Sequence, residues 1–154
     1  MNSVEIQRAF KGPGTPDSDR IRCWAATVLD RRVEGTESVI RMVDIEESAA
    51  LNSQFRKKSG PTNVLSFSYG LPVGGQPVNL LGDLVICAPV VAAEAEVQAK
   101  DLDAHWAHMV VHGYLHLLGY DHTNDPDAME MEALEMEILG EMGYPDPYQE
   151  VVDR

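Results

Sequence analysis

The chain contains the stretch AHWAHMVVHGYLHLLGYDH at residues 104–122. Its apolar residues predict a helix over residues 103–118 that packs in the core. On such a helix, His112 and His116 lie one turn apart on the same face. Gly119 comes next, and glycine readily adopts the left-handed conformation that ends a helix. We therefore expect the helix to end at Gly119 and the chain to turn back there.

The spacing of three histidines around this turn predicts a metal site. In a straight helix, His122 would lie about 80° around the axis and about 15 Å along it from His112. A turn at Gly119 removes that separation and lets His122 reach the same ion as His112 and His116. Three imidazoles without a fourth protein ligand in the motif are typical of a catalytic zinc site. We therefore predict one Zn²⁺ per chain, with another divalent transition metal as the alternative.

The residue after the first histidine separates this motif from that of zinc peptidases. The histidine offsets match the metzincin pattern HExxHxxGxxH, in which the glutamate is the general base for peptide hydrolysis. Here that position holds Gly113. Because glycine cannot accept a proton, the motif keeps the metal ligands and lacks the peptidase base. Peptide hydrolysis by the metzincin route is therefore not expected.

The composition indicates one domain spanning residues 1–154. A chain of 154 residues with 44% hydrophobic residues is long enough to bury a core without disulfides. The two cysteines, Cys23 and Cys87, are far apart in sequence and are predicted to be reduced thiols in the core. The sequence starts without a signal-peptide pattern, and no apolar run approaches the roughly 18 residues of a membrane span. We expect a cytoplasmic protein that does not bind a membrane.

The charge of the chain is unevenly distributed. The formal net charge is −13. Residues 1–60 carry ten Lys and Arg against nine Asp and Glu, whereas residues 61–154 carry two against sixteen. Nucleic-acid binding by counterion release needs a basic local surface rather than a basic whole chain. The acidic total therefore does not exclude RNA as a partner.

The order of periodic segments predicts an α+β fold, with a mixed sheet of about four strands packed against about five helices. The zinc site is expected at the end of the central helix. The predicted strands are residues 3–10, 38–45, 64–69 and 80–88. The first predicted helix begins at Ser18, and the other four span residues 46–58, 89–100, 103–118 and 130–142. A Gly/Pro-rich loop is predicted at 70–77.

The predicted helices also indicate which of their side chains are buried and which are exposed. Leu51 and Phe55 are expected to face inward from the helix at 46–58. The glutamates of the helix at 130–142 are expected to form a solvated face. His105 and His108 are expected either at the surface or in contact with a metal ligand.

Three segments of the chain together resemble the YbeY family of bacterial metal-dependent endoribonucleases. They are LNSQFRKKSGPTNVLSF at 51–67, LLGDLVI at 80–86 and AHWAHMVVHGYLHLLGYDH at 104–122. The three-histidine motif followed by EMEALE is specific to that family, and the resemblance runs from about residue 20 to Tyr148. It implies a mixed arrangement of strands and helices in which the histidine helix lies against the sheet.

The resemblance also implies a substrate class, which the histidine spacing does not supply. It predicts a single-strand-specific endoribonuclease that acts in ribosomal RNA processing, including 16S 3′ end maturation, and in ribosome quality control. The implied partners are ribosomal RNA, the small ribosomal subunit and a ribosome-associated GTPase.

The basic cluster formed by Arg56, Lys57 and Lys58 gains a role from the same resemblance, which puts Arg56 in the place of the family's functional arginine. A guanidinium offers a fixed fork for phosphate oxygens and stays protonated. Arg56 is therefore the predicted catalytic residue, and all three cations are predicted to bind substrate. For the lysines, the alternative is a solvated helix end that complements the helix dipole. No general base is assigned, because Asp121 can equally fix the turn or orient a histidine.

Two other function classes stay open at the level of sequence. One is a non-catalytic ribosome-assembly factor in which zinc holds the fold, which predicts four protein ligands to the metal. The other is a metallohydrolase of a substrate other than RNA, against which Gly113 argues.

Overall fold

The fold is built on a four-stranded mixed sheet with the strand order β1-β2-β4-β3. The computed structural model describes residues 1–68 and 79–148, so the expected loop at 70–77 lies outside the described residues. The strands are β1 Ser3–Arg8, β2 Thr36–Val43, β3 Val64–Ser68 and β4 Asn79–Cys87. β1, β2 and β4 run parallel to one another, and β3 pairs antiparallel to β4 at the edge of the sheet.

Five helices complete the predicted α+β fold, which is confirmed. They are α1 Ser18–Leu29, α2 Ile45–Leu51, α3 Ala88–Val97, α4 Leu102–Leu117 and α5 Asp125–Glu141. α1 begins at Ser18 as expected, and the side chain of Asp17 caps it by accepting a hydrogen bond from the N–H of Arg20. No helix in the described part of the chain is long and apolar enough to span a membrane.

The main core lies between one face of the sheet and the helices α1, α4 and α5. Trp106 and Tyr114 of α4 are its largest fully buried side chains. The hydroxyl groups of Tyr114 and Ser38 of β2 lie 2.8 Å apart, so the buried phenol is hydrogen-bonded. A smaller apolar cluster on the other face contains Leu65 of β3 and Cys87 of β4.

Two predicted environments are wrong. Cys23 is exposed on α1, and only Cys87 is buried as expected. Phe55 does not face inward, because α2 continues past Leu51 as a single π-helical turn, Asn52–Arg56. The wider turn rotates the side chains that follow Leu51, and the ring of Phe55 is 55% exposed.

The close approach of α4 to the sheet depends on Gly113. A Cβ atom at this position would lie 2.7 Å from Cδ2 of Leu84 on β4, and Leu84 is fully buried. The carbonyl oxygen of Gly113 also accepts a hydrogen bond of 3.1 Å from Oγ of Ser66 on β3. The absence of the peptidase glutamate therefore has a packing reason, because any side chain at residue 113 points into the helix–sheet contact.

We predict that Gly113→Ala lowers the free energy of unfolding by about 1 kcal/mol. Overpacking costs about 1–3 kcal/mol, which exceeds the gain in helix propensity of up to about 1 kcal/mol. Gly140→Ala in α5 is the matched control, because nothing lies within 4 Å of its added Cβ. It should raise the free energy of unfolding slightly. Urea unfolding followed by circular dichroism measures both, and equal stabilisation of the two variants would contradict the close contact.

Candidate metal centre and active-site cleft

The end of α4 brings the third histidine back toward the first two. Gly119 has a φ of +100°, as expected of the residue that ends the helix. Its N–H donates to the carbonyl of His116, and the N–H of Tyr120 donates to the carbonyl of Leu115, both at 3.0 Å. This pair of bonds is a Schellman motif. The N–H of His122 then donates to Oδ1 of Asp121 at 2.7 Å, which fixes the turn that follows.

His112, His116 and His122 form one cluster with a geometry that fits a metal ion. Their ligand atoms all lie within 4.8 Å of one another. The Nε2 atoms of His112 and His116 are 3.2 Å apart. Nitrogen ligands of a tetrahedral zinc ion at 2.0–2.1 Å lie about 3.3 Å from each other. His112 and His116 therefore already have the separation that the expected ion requires, and His122 lies within 4.8 Å of both.

Glu135 orients the first histidine of this cluster. It lies on α5, is 0% exposed, and its Oε1 is 2.9 Å from Nδ1 of His112. The carboxylate accepts a hydrogen bond from Nδ1–H, so the lone pair of Nε2 is directed at the other two imidazoles. Oε2 of Glu135 also lies 2.6 Å from Nε2 of His108 and accepts a hydrogen bond of 2.5 Å from the hydroxyl of Tyr148.

The electrostatics of the site favour a neutral His116 and a charged Glu135. Burial raises the pKa of the Glu135 carboxyl, but hydrogen bonds from His108 and His112 outweigh it and bring the pKa to about 2. Burial lowers the pKa of His116, and His112 and His122 lower it further. A neutral imidazole has the free lone pair that a metal needs. Burial and Glu135 both raise the pKa of Tyr148, so its hydroxyl stays a donor.

The burial of Glu135 contradicts the prediction for the glutamates of α5 and shows the environment of His108. The glutamates of α5 were expected on a solvated face, but Glu135 is buried between Met131 and Leu139 of the apolar stripe. That position within the stripe is the signal in the sequence that identifies it. His105 and His108 are both buried, and His108 contacts Glu135, the partner of a metal-site histidine. His105 instead pairs through Nε2 with Oε1 of Glu94 at 2.9 Å.

A cleft of about 420 Å³ opens beside the three histidines. Its other wall is the outer edge of β3 and the segment that follows the π-helical turn. Asn63 lines this wall and donates from its side chain to Glu94 at 3.1 Å, so the half-buried Glu94, which also pairs with His105, holds the cleft edge. Asp121 lines the cleft beside His122.

The structure separates the three predicted cations. Arg56 and Lys58 line the same cleft as the histidines. Nη2 of Arg56 donates to the carbonyl of Ser66 at 3.0 Å, which places the guanidinium across the edge of β3. Lys57 is not among the described residues that line the cleft, and its Nζ donates to the carbonyl of Gln54 at 3.0 Å.

Comparisons with known proteins agree with this geometry. Residues 14–143 match the family model described as Endoribonuclease YbeY. A relative from Methylococcus capsulatus is 54% identical over 151 residues, which is 98% of each chain, and a relative from Pseudomonas putida is 51% identical over 148 residues, 96% of this chain and 94% of that one. Both relatives are named Endoribonuclease YbeY. The chain belongs to the YbeY family.

The fold of a YbeY protein is also found at much lower sequence identity. The solution structure of TM1509 from Thermotoga maritima aligns with a TM-score of 0.58 at 23% identity, over 98% of this chain and 99% of that one. The family match spans the π-helical turn, the histidine helix and Glu135. The predicted family is therefore confirmed.

We predict that Glu135→Gln weakens metal binding by about 10- to 100-fold, the usual effect of losing a carboxylate that orients a histidine ligand. The amide keeps the side-chain volume but removes the charge that holds the Nδ1 proton of His112. Glu137→Gln is the matched control, because Glu137 is an exposed residue of the same helix. Competition with a chromophoric chelator measures both affinities, and equal affinities in the two variants would show that Glu135 does not orient the site.

Proposed function

We propose that this protein is a metal-dependent endoribonuclease that cleaves single-stranded regions of ribosomal RNA. The observation that carries the proposal is the shared cleft, which Arg56 lines together with His112, His116 and His122. A positive side chain opposite a metal site suits a phosphodiester, whose cleavage develops negative charge on the phosphate oxygens. The YbeY relatives named endoribonucleases support the same substrate.

The three histidines are the residues that would hold the metal, with zinc as the ion that the donor set favours. A bound zinc ion supplies Lewis-acid charge beside the scissile phosphate. The chain itself orients His112 through Glu135, and burial together with the neighbouring imidazoles lowers the pKa of His116. Arg56 and Lys58 hold the phosphate backbone against that position.

Arg56 is suited to act on the transition state rather than only on binding. Its Nη2 donates to the carbonyl of Ser66, which restrains the long side chain at the edge of β3. The other guanidinium N–H groups can then approach a phosphate in a fixed direction. A preorganised donor stabilises developing charge without a reorganisation cost at the moment of reaction.

The two alternative functions have less support from the site. A structural zinc would bring four protein ligands. Of the two groups of candidate ligands in the described residues, the one that lines the cleft comprises three histidines, and the other shares His112 with it and adds His108 and Glu135. A peptidase of the metzincin type would need a base at residue 113, where even a Cβ atom would lie 2.7 Å from Cδ2 of Leu84.

The biological setting is part of the proposal. We assign the protein to 16S 3′ end maturation and to ribosome quality control in the cytoplasm. The small ribosomal subunit would then present the RNA, and a ribosome-associated GTPase is the further proposed partner. All of residues 1–154 are proposed to form the single catalytic domain.

We predict that Arg56→Ala lowers the cleavage rate of a single-stranded RNA by about 10²–10³, the usual effect of removing one such electrostatic group. Metal content and melting temperature should stay near those of the parent protein, because Arg56 is exposed and touches no histidine of the cluster. Arg56→Lys should recover only part of the rate, since an ammonium cannot make the bidentate contact. Single-turnover cleavage of a labelled RNA measures the rate.

Three controls make this experiment decisive for the proposed function. Arg22→Ala removes an exposed arginine of α1 outside the cleft and should cleave normally. His116→Ala should lose both the metal and the cleavage. Casein tests for a peptidase in the same preparation. A parent protein that digests casein and leaves RNA intact would overturn the endoribonuclease, and normal cleavage by Arg56→Ala would remove Arg56 from the mechanism.

We predict that the two neighbouring lysines differ in their effect on RNA. Lys58→Gln should raise KM and reduce the slope of log K against log salt by about 0.7, the loss of one phosphate contact on a single strand. Lys57→Gln should change both much less, because Lys57 lies outside the cleft lining and binds the backbone of Gln54. Equal effects of the two substitutions would indicate a diffuse basic surface instead of a defined contact.

A further inference from the structure

Phe55 and Phe67 form an aromatic pair to which the endoribonuclease mechanism gives no role. Neither is among the described residues that line the cleft, but Phe55 directly precedes Arg56 and Phe67 lies between Ser66 and Ser68, all three of which do line it. Their ring centroids are 5.2 Å apart and their planes meet at 71°, an edge-to-face arrangement. Phe67 packs against the small cluster that contains Leu65, whereas the ring of Phe55 is 55% exposed. A single exposed apolar side chain is ordinary, so the position of Phe55 has to carry the argument.

The position of the pair follows from the alternation of β3. Ser66 points toward α4, because its Oγ donates to the carbonyl of Gly113. Leu65 and Phe67 therefore point to the opposite face of the sheet. The aromatic pair lies on one side of the β3 edge and the histidines lie on the other. Arg56 bridges the two sides through its bond to the carbonyl of Ser66.

The charge around the exposed ring selects the kind of ligand. Phe55 directly precedes Arg56, Lys57 and Lys58 in a chain whose net charge is −13. A phosphate held by Arg56 would put one of its attached bases within reach of the neighbouring residue, Phe55. Proteins bind single strands through this combination of cations on the backbone and aromatic rings on the bases.

We propose that Phe55, supported by Phe67, is a stacking platform for one unpaired base next to the scissile phosphate. This subsite rests on the proposed ribonuclease function and adds to it a source of preference for single strands. In a duplex, the bases are paired and stacked and cannot lie on the ring. The π-helical turn Asn52–Arg56 carries both Phe55 and Arg56 and therefore sets the distance between base and phosphate.

The test is binding and cleavage of a labelled single-stranded RNA by the metal-loaded full-length protein. Phe55→Ala should bind it about 5- to 150-fold more weakly, the range for losing one base–aromatic stack. Phe55→Trp should bind as well as the parent or better. Phe55→Leu keeps an apolar contact with Phe67 but offers no ring, and should resemble Phe55→Ala. Val97→Ala, at a highly exposed apolar residue of α3, is the control and should bind normally.

A scan with single abasic nucleotides locates the contact. The parent protein should lose affinity when one particular base is missing, and Phe55→Ala should be insensitive at that position. Parent-like binding by Phe55→Leu, or equal sensitivity of the parent and Phe55→Ala at every position, would overturn the stacking platform. Normal RNA cleavage by the parent in that case would leave the ribonuclease standing. Base-dependent binding through Phe55 without any cleavage would overturn the ribonuclease instead.

Discussion

Helix α4 has to be buried in the core and also carry polar histidines, and the rest of the structure depends on how this conflict is resolved. His105, His108, His112 and His116 follow one another at helical spacing along one side of α4. A buried imidazole without a partner is costly. Carboxylates from other elements supply the partners, with Glu94 of α3 on His105 and Glu135 of α5 on His108 and His112. The final histidine of the row, His116, is left for the metal cluster and the cleft.

The same carboxylates and the close packing of α4 also connect the metal site to the edge of the cleft through direct contacts. Glu94 holds His105 and also Asn63 at the end of β3. Gly113 lets α4 lie close enough to β4 and β3 for Ser66 to bond its carbonyl. The histidines and the opposing edge of the cleft are therefore fixed to one rigid helix–sheet contact. The distance between the three histidines and the guanidinium of Arg56 would therefore be set before a phosphate binds. This is the condition for electrostatic preorganisation.

The π-helical turn at Asn52–Arg56 joins this rigid centre to the RNA-facing surface. A regular helix would have kept Phe55 directed inward, as its sequence spacing predicts. The extra residue in the turn instead exposes the ring and directs Arg56 to the edge of β3. Two basic residues of an acidic chain, Arg56 and Lys58, thus line the same cleft. This local surface, rather than the net charge, governs how the protein meets a polyanion.

The sequence by itself determined the α+β class, the approximate limits of the strands and helices, and the three-histidine cluster. These features depend on local periodicity and on Gly119, whose backbone conformation is a property of the residue type. The catalytic role of Arg56 was predicted only from the family motifs. Periodicity could not predict it, because the histidines that share its cleft lie in another element. Only the tertiary structure decided that Glu135 contacts the histidines of α4, that Cys23 and Phe55 are exposed, and that Lys58 but not Lys57 lines the cleft. The position of Glu135 within an apolar stripe indicates burial, but the histidines that it contacts belong to another helix. The exposure of Phe55 follows from the hydrogen bonds of one π-helical turn, which the spacing of apolar residues does not reveal.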